Sequence, residues 1–323
     1  MTSKSNAETL VTIYGGSGFL GRHVVRALAR RGYLIRVAVR RPDLAFHLQP
    51  LGRVGQIHAV QANLRHAPSV QAAARDAHVL INLVGILFER GRQSFNAIHV
   101  QGAEQVALAA SAHGARMVHV SAIGADEHSR AAYARSKAEA ERLVLAALPQ
   151  AVIMRPSVVF GPEDDFFNRF AALARISPAL PLIGGGETRF QPVFVGDAAE
   201  AIAQAVDGNA QAGTIYELGG PEVKTFEELM RYVLKTIGRK RLLMPVPFFA
   251  AKIKAMLLQY WPKPPLTPDQ VELLRSDNVV SDAAKADGRT LQGLGIEPES
   301  IEAIVPSYLW RFRKTGQFRS RMA

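Results

Sequence analysis

Short apolar runs alternate, through the first half of the chain, with longer stretches whose apolar residues recur every three or four positions. The runs at 10–14, 34–39, 56–60, 79–84, 117–120 and 152–154 have the length and apolar density of strands buried on both faces. The stretches 19–31, 69–76, 95–113 and 131–147 carry the helical period. In the first helix Val24, Val25 and Leu28 share the face turned to the sheet, and Arg22, Arg26 and Arg30 form the wet one. Strands alternating with helices predict an α/β fold with a doubly wound parallel sheet. Ligands of such sheets lie beyond the carboxyl ends of the strands, where Gly15, Arg40, Val84 and Ser121 fall.

After about Pro156 this rhythm breaks into loop-rich sequence, and 245–268 is rich in proline and large apolar residues. The pattern divides the chain into a nucleotide-binding domain over 9–160 and a smaller lobe over 161–323, for substrate or docking, with some elements returning to the sheet. One helical stretch, FFAAKIKAMLLQY at 248–260, is apolar around most of its circumference: Lys252 and Gln259 share a face and Lys254 points nearly opposite. Such a helix is either buried in its own lobe or covered by a partner or lipid.

The loop after the first strand reads GGSGFLGR, a G-x-x-G-x-x-G set carried by Gly15, Gly18 and Gly21. A strand, a tight glycine turn and a helix N-terminus suit a dinucleotide pyrophosphate, and Ser17 and Phe19 lie on the same turn. The fold expected is therefore Rossmann-type. The GK[ST] ending of a P-loop is absent, which excludes a nucleoside-triphosphatase of that kind. The second strand ends VAVRRP, placing Arg40 and Arg41 nineteen and twenty residues past Gly21. An acidic residue there would favour NAD; an arginine suits the 2′-phosphate of NADPH. Asn63, after the third strand, either reaches the adenine or simply forms a turn, and Val84 and Gly85 follow the fourth strand at the ligand edge. Tyr133 and Lys137 are spaced Y-x-x-x-K on one helical face, and Ser121 closes the strand before them. A serine that orients a carbonyl oxygen, a tyrosine acid or base, and an ammonium that lowers the tyrosine pKa can act together on a carbonyl. The lysine can equally hold the nicotinamide ribose. The pair Asp164 and Asp165 reads as a loop capping the next helix rather than as a catalytic couple.

Composition narrows the classes. With 48% hydrophobic residues over 323 positions the chain can build a sizeable core. There is no cysteine, which removes disulfides, thiolate metal sites and thiol catalysis together, and the scattered histidines show no metal-ligand spacing, so no metal is expected. The net charge of +11 attracts anionic partners. No nucleic-acid-binding motif accompanies it, so nucleic acid is not expected. Lys263 and the tail residues Arg311, Arg313, Lys314, Arg319 and Arg321 either meet anionic lipid headgroups or form a solvated end. The N-terminus has no apolar leader, and the apolar stretch 79–88 is too short to span a bilayer.

Together Gly15, Gly18, Gly21, Ser121, Tyr133 and Lys137 resemble, in order and rough spacing, the motifs of the extended or atypical short-chain dehydrogenase/reductases. A narrower resemblance covers nearly the whole chain. The segments RPSVVFGPEDDFFNRFA, FQPVFVGDAA, YELGGPE and PLTPDQVELLRSDNVV are similar to the dinucleotide-binding accessory subunit of respiratory complex I (NADH:ubiquinone oxidoreductase), in its alphaproteobacterial form. That resemblance implies a tightly held NADPH that stabilises the subunit without turnover. It implies docking among the other subunits of the peripheral arm, on the cytoplasmic side of a bacterial inner membrane or the matrix side in a mitochondrion. The alternative is an active NADP-dependent reductase or epimerase acting on a small carbonyl or nucleotide-sugar substrate, because the Ser-Tyr-Lys set is complete.

Overall fold

A computed structural model of the protein describes residues 5–262, 264–314 and 316. The chain forms two compact units, and the first is assembled from three stretches, Met1–Pro156, Gly196–Leu218 and Asp282–Ile296. Its sheet has seven strands: β1 (Leu10–Tyr14), β2 (Leu34–Val39), β3 (Ile57–Gln61), β4 (Val79–Asn82), β5 (Arg116–Val120), β6 (Val152–Pro156) and β7 (Ile215–Leu218). They lie in the order β7-β6-β5-β4-β1-β2-β3, all parallel. The order reverses between β1 and β4, and a crevice opens at such a switch. The Rossmann-type expectation holds.

The helices of this unit are α1 (Phe19–Arg30), α2 (Ala67–Ala74), α3 (Gln101–Ala112), α4 (Ala132–Ala147) and α5 (Val195–Asp207). Alternate strand residues point to opposite faces. Tyr14, Ala38, Leu80 and Met117 join one core with Val70, Val106 and Val144 of α2, α3 and α4. Val11, Ile13, Val37 and Ile81 supply the other face and are fully or almost fully buried. In α1 the buried residues include Val24, Val25 and Leu28, while Arg26 and Arg30 are exposed. The α1 C-terminus is held to α5 by Arg31, which pairs with Glu200 and Asp207, and by the Tyr33 hydroxyl, which donates to Asp207.

The stretch 95–113, expected as one α-helix, instead opens with a π-helical turn at Asn96–Val100 before α3 begins. The strand β7 corresponds to none of the apolar runs named from the sequence. Its core position carries an acid, Glu217, which is buried yet lies 3.6 Å from Arg155 of β6; Arg155 also makes a two-pronged bond to Glu141 of α4. A paired carboxylate is tolerated where an isolated one would not be.

The second unit comprises Ser157–Val195, Gly219–Ser281 and Glu297–Ala323. Its core is built on edge-to-face and tilted phenylalanines, among them Phe160, Phe167, Phe190 and Phe226. Strand Ala179–Ile183 pairs in parallel with Leu242–Val246. Helix Phe226–Thr236 starts on a capping box in which Thr225 and Glu228 satisfy each other's backbone N–H groups. Asp164 is buried, accepts from the Gly161 and Asn168 N–H groups and receives the Tyr308 hydroxyl at 2.6 Å, so it organises the loop before the helix Phe167–Ile176. Helix Phe248–Leu258 buries Ala251 and Ala255 and turns its largest side chains outward, which settles against burial of that face within the lobe.

Candidate functional site

The turn after β1 is shaped by what a side chain there would strike. Gly15 has φ +84°, and a Cβ on it would sit 3.0 Å from Val84 Cγ2, across the switch between β1 and β4. At Gly21, inside the first turn of α1, a Cβ would meet the Gly15 carbonyl oxygen at 2.5 Å and the Gly16 carbonyl carbon at 2.6 Å. The helix therefore starts pressed onto the turn. Its N-cap, Gly18, offers no side-chain acceptor, and the first turn holds no acidic residue. The first N–H groups of a helix have no partner within it, and the helix dipole adds positive potential there. Ser17 and Phe19, both half-buried, complete the turn. A cradle of this kind fits a pyrophosphate.

At the end of β2 both arginines are exposed, but their surroundings differ. Arg41 makes a two-pronged ion pair with Asp43, which holds that carboxyl below its ordinary range. Arg40 donates to the neutral amide oxygen of Gln93 at 3.1 Å. Its charge is thus not cancelled by that partner. Asn63 is half-buried and its side-chain oxygen accepts from the Arg65 N–H, the turn geometry that sequence reasoning weighed against an adenine contact.

The third part of the site lies past the ends of β4 and β5. Lys137 on α4 is buried, and its Nζ donates to the Val120 carbonyl at 3.2 Å, next to Ser121. The same Nζ stands 5.9 Å from the centre of the Tyr133 ring, and 3.5 Å from where a Cβ on Gly85 would be. The structure thus places Tyr133, Gly85 and the Val120 carbonyl, one residue before Ser121, around the Lys137 ammonium. Burial brings Lys137 down from 10.5 to about 8, against the pull of Glu141.

Two histidines that sequence reasoning passed over belong to this cluster. His99, in the π-helical turn, accepts the Ile86 N–H on Nε2 at 3.0 Å, so its Nδ1 carries the proton and donates to Ser136 Oγ at 2.9 Å. Ser136 in turn donates to the Tyr133 carbonyl at 2.8 Å. The imidazole thus ties the loop after β4 to the first turns of α4, and Tyr133 packs edge-on against it. Burial, then Lys137 and His119, depress its pKa to about 2, so it is neutral. His119 on β5 accepts from the Asn82 amide at 3.2 Å, while the Asn82 oxygen receives the Val84 N–H. Burial and Lys137 lower His119 to about 3. Its Nε2 and the Ser121 hydroxyl are buried and meet no partner among the described residues. An unpaired buried donor costs about 1–3 kcal/mol. Their spacing, two apart at a strand end, was the available signal that both face one way; nothing in the sequence marked His99.

Among the described residues no group of three or more His, Asp or Glu converges as a metal site. Lys263, Arg319 and Arg321 lie outside the described residues.

Residues 11–219 match the NAD dependent epimerase/dehydratase family. The chain is 37% identical over 320 residues to NADH dehydrogenase (ubiquinone) 1 alpha subcomplex subunit 9, mitochondrial, of Arabidopsis thaliana, covering 95% of this chain and 79% of that one. It is 33% identical over 294 residues to the ceramide reductase of Caulobacter vibrioides, covering 88% of this chain and 90% of that one. Its fold matches dTDP-glucose 4,6-dehydratase from Streptomyces venezuelae, solved with NAD bound, with a TM-score of 0.70 at 20% identity over 94% of this chain and 96% of that one. The chain belongs to the NAD dependent epimerase/dehydratase family, a dinucleotide-binding family of extended short-chain dehydrogenase/reductases, and is homologous to complex I subunits.

Proposed function

We propose that this chain is an NADPH-holding accessory subunit of an NADH:ubiquinone oxidoreductase, on the cytoplasmic side of a bacterial inner membrane or the matrix side of a mitochondrial one, and that it stabilises the complex without hydride turnover. The observation that carries this reading is the extent of the similarity to a complex I subunit, 95% of the chain at 37% identity. Gly15, Ser17, Gly18, Phe19 and Gly21 would hold the pyrophosphate, Arg40 and Arg41 the 2′-phosphate, and Asn63 the adenine side. Val84, Gly85, Tyr133 and Lys137 would hold the nicotinamide ribose. Arg40, whose hydrogen-bond partner Gln93 is neutral, supports the phosphorylated coenzyme, since a guanidinium fork binds phosphate through paired charged hydrogen bonds. Native purification from membranes tests the proposal. The chain is expected to travel with the large respiratory complex and to release about one NADPH per chain on denaturation. A chain found free of the complex, or carrying no nucleotide, overturns it.

A second reading rests on a specific observation. The residue types Ser121, Tyr133 and Lys137 are all present, and the similarity to ceramide reductase spans 90% of that enzyme. In that case NADPH would supply hydride to a carbonyl carbon. Tyr133 would give its hydroxyl proton to the carbonyl oxygen, Ser121 would orient that oxygen through its unpaired hydroxyl, and the Lys137 ammonium would lower the tyrosine pKa. Steady oxidation of NADPH by a carbonyl substrate, abolished in Tyr133→Phe, would establish this reading over the first.

A further inference from the structure

The helix Phe248–Leu258 inverts the usual arrangement of a surface helix. Its small residues Ala251 and Ala255 face inward, against Ile183 and Val271, with Ala255 fully buried. At about 100° per residue, Phe249, Ile253, Met256 and Leu257 fall within an arc of about 100° on the other side, and Tyr260 follows in the turn after the helix. All five are exposed, Leu257 at 75% and Tyr260 at 85%, and Trp261 follows at 69%. A continuous apolar stripe of this kind on a soluble surface marks a contact.

Charge identifies the partner. From Met230 to Pro268 the sequence has no aspartate or glutamate, while Arg239, Lys240, Arg241, Lys252 and Lys254 lie within that stretch. Lys254 flanks the stripe on one side and is exposed, as is Lys240, while Lys252 on the other side is paired with Glu272 at 2.7 Å. A second copy of the chain would bring Lys240 and Lys254 against their own counterparts, with no acid on the stretch to answer them. An anionic bilayer surface answers both features: acyl chains take the stripe, headgroups take the lysines, and Tyr260 and Trp261 have the amphipathic rings that settle at the interface. Among the described residues no helix is long and apolar enough to cross a membrane. We propose that this helix lies in the plane of an anionic membrane, its Phe249–Tyr260 stripe in the headgroup–acyl boundary. The proposal is independent of the nucleotide reading, because it uses none of the same residues.

Flotation of the full-length protein with vesicles tests it, comparing phosphatidylcholine alone with phosphatidylcholine plus phosphatidylglycerol. Binding is expected to the second, and to be weaker by about tenfold or more on the first or at high salt. Ile253→Ser/Leu257→Ser should weaken it by about a hundredfold, with the thermal transition and bound nucleotide unchanged because both positions are exposed. In a Trp310→Phe background, which leaves Trp261 as the single tryptophan of the two in the chain, emission should shift blue on binding and be quenched by brominated lipid. Absence of vesicle binding, or binding that the serine pair leaves intact, overturns the proposal. So does a dimer, seen by sedimentation, that the serine pair dissociates, since that would give the stripe to a second copy. Loss of nucleotide binding with vesicle binding retained would sink the coenzyme assignment alone.

Discussion

Lys137→Met isolates the energetic cost of the site. The wild-type ammonium is buried against the Val120 carbonyl, and burial lowers it from 10.5 to about 8. In the unfolded chain it stays protonated to its ordinary value. Between the two values the unfolded state therefore binds more protons than the folded one, and wild-type stability rises with pH across that window. Lowering the ammonium from 10.5 to about 8 corresponds to about 3 kcal/mol. Below about pH 8 that whole amount counts against the folded protein. Methionine fills similar volume, carries no charge and loses one charged hydrogen bond, worth about 1.5–3 kcal/mol. At neutral pH the two effects oppose, and the variant should be as stable as wild type or slightly more so. The decisive quantity is the change in the difference: from about pH 7 to about pH 10 wild type should gain about 3 kcal/mol on the variant. Urea unfolding of nucleotide-stripped protein, extrapolated linearly, measures it, and stripping matters because bound coenzyme adds its own stabilisation. A stability gap that stays constant with pH, or that moves the other way, would refute the desolvation argument. The variant should also fail to retain nucleotide.

Three further outcomes are expected. Arg40→Asp should weaken NADPH by about 2 kcal/mol or more relative to NADH in calorimetric titration, and equal weakening of both would remove the 2′-phosphate from this residue. Gly21→Ala would place its Cβ 2.5 Å from the Gly15 oxygen, so α1 must back away from the turn. Overpacking of about 1–3 kcal/mol, offset by about 1 kcal/mol of helix propensity, should lower the melting temperature and empty the site, and a variant that keeps full nucleotide would contradict the close-packing account. His99 and His119 are held neutral far below their usual 6.5, so as pH falls below that value the unfolded chain takes up protons that the folded one refuses. Each should remove about 1.4 kcal/mol of stability per pH unit through the mildly acid range, and His119→Asn should flatten that acid limb in denaturation curves.

The parts of the fold legible in the sequence were those governed by local pattern. Strands β1 and β2 occupy 10–14 and 34–39 as the apolar runs indicate, and α1 presents the arginine and valine faces its spacing dictates. What was hidden depends on partners distant in sequence. The acid in β7 disguises a strand because Arg155, which neutralises it, is 62 residues away in β6. The π-helical turn is bound up with His99, whose two ring nitrogens are engaged by Ile86 and Ser136. The helix at 248–258 left two readings open because its sequence is apolar nearly all round; only the placement of Ala251 and Ala255 shows which side is inner. At the site, the glycines and the Ser-Tyr-Lys types were readable, while the distinction between Arg40 and Arg41 came from Asp43 and Gln93.

The assembly of the first unit from three separated stretches has a consequence for biosynthesis. Its outermost strand, β7, arrives some sixty residues after β6, and Arg289, which donates to the Ile215 carbonyl and accepts the Glu217 N–H, arrives seventy later still. Until then β6 ends the nascent sheet with unsatisfied pairing groups, the kind of edge that recruits strangers. The seven-stranded sheet therefore cannot be completed until residues 215–218 and 289 have been made. Fragments ending near residue 160 should aggregate rather than fold as a miniature binding protein.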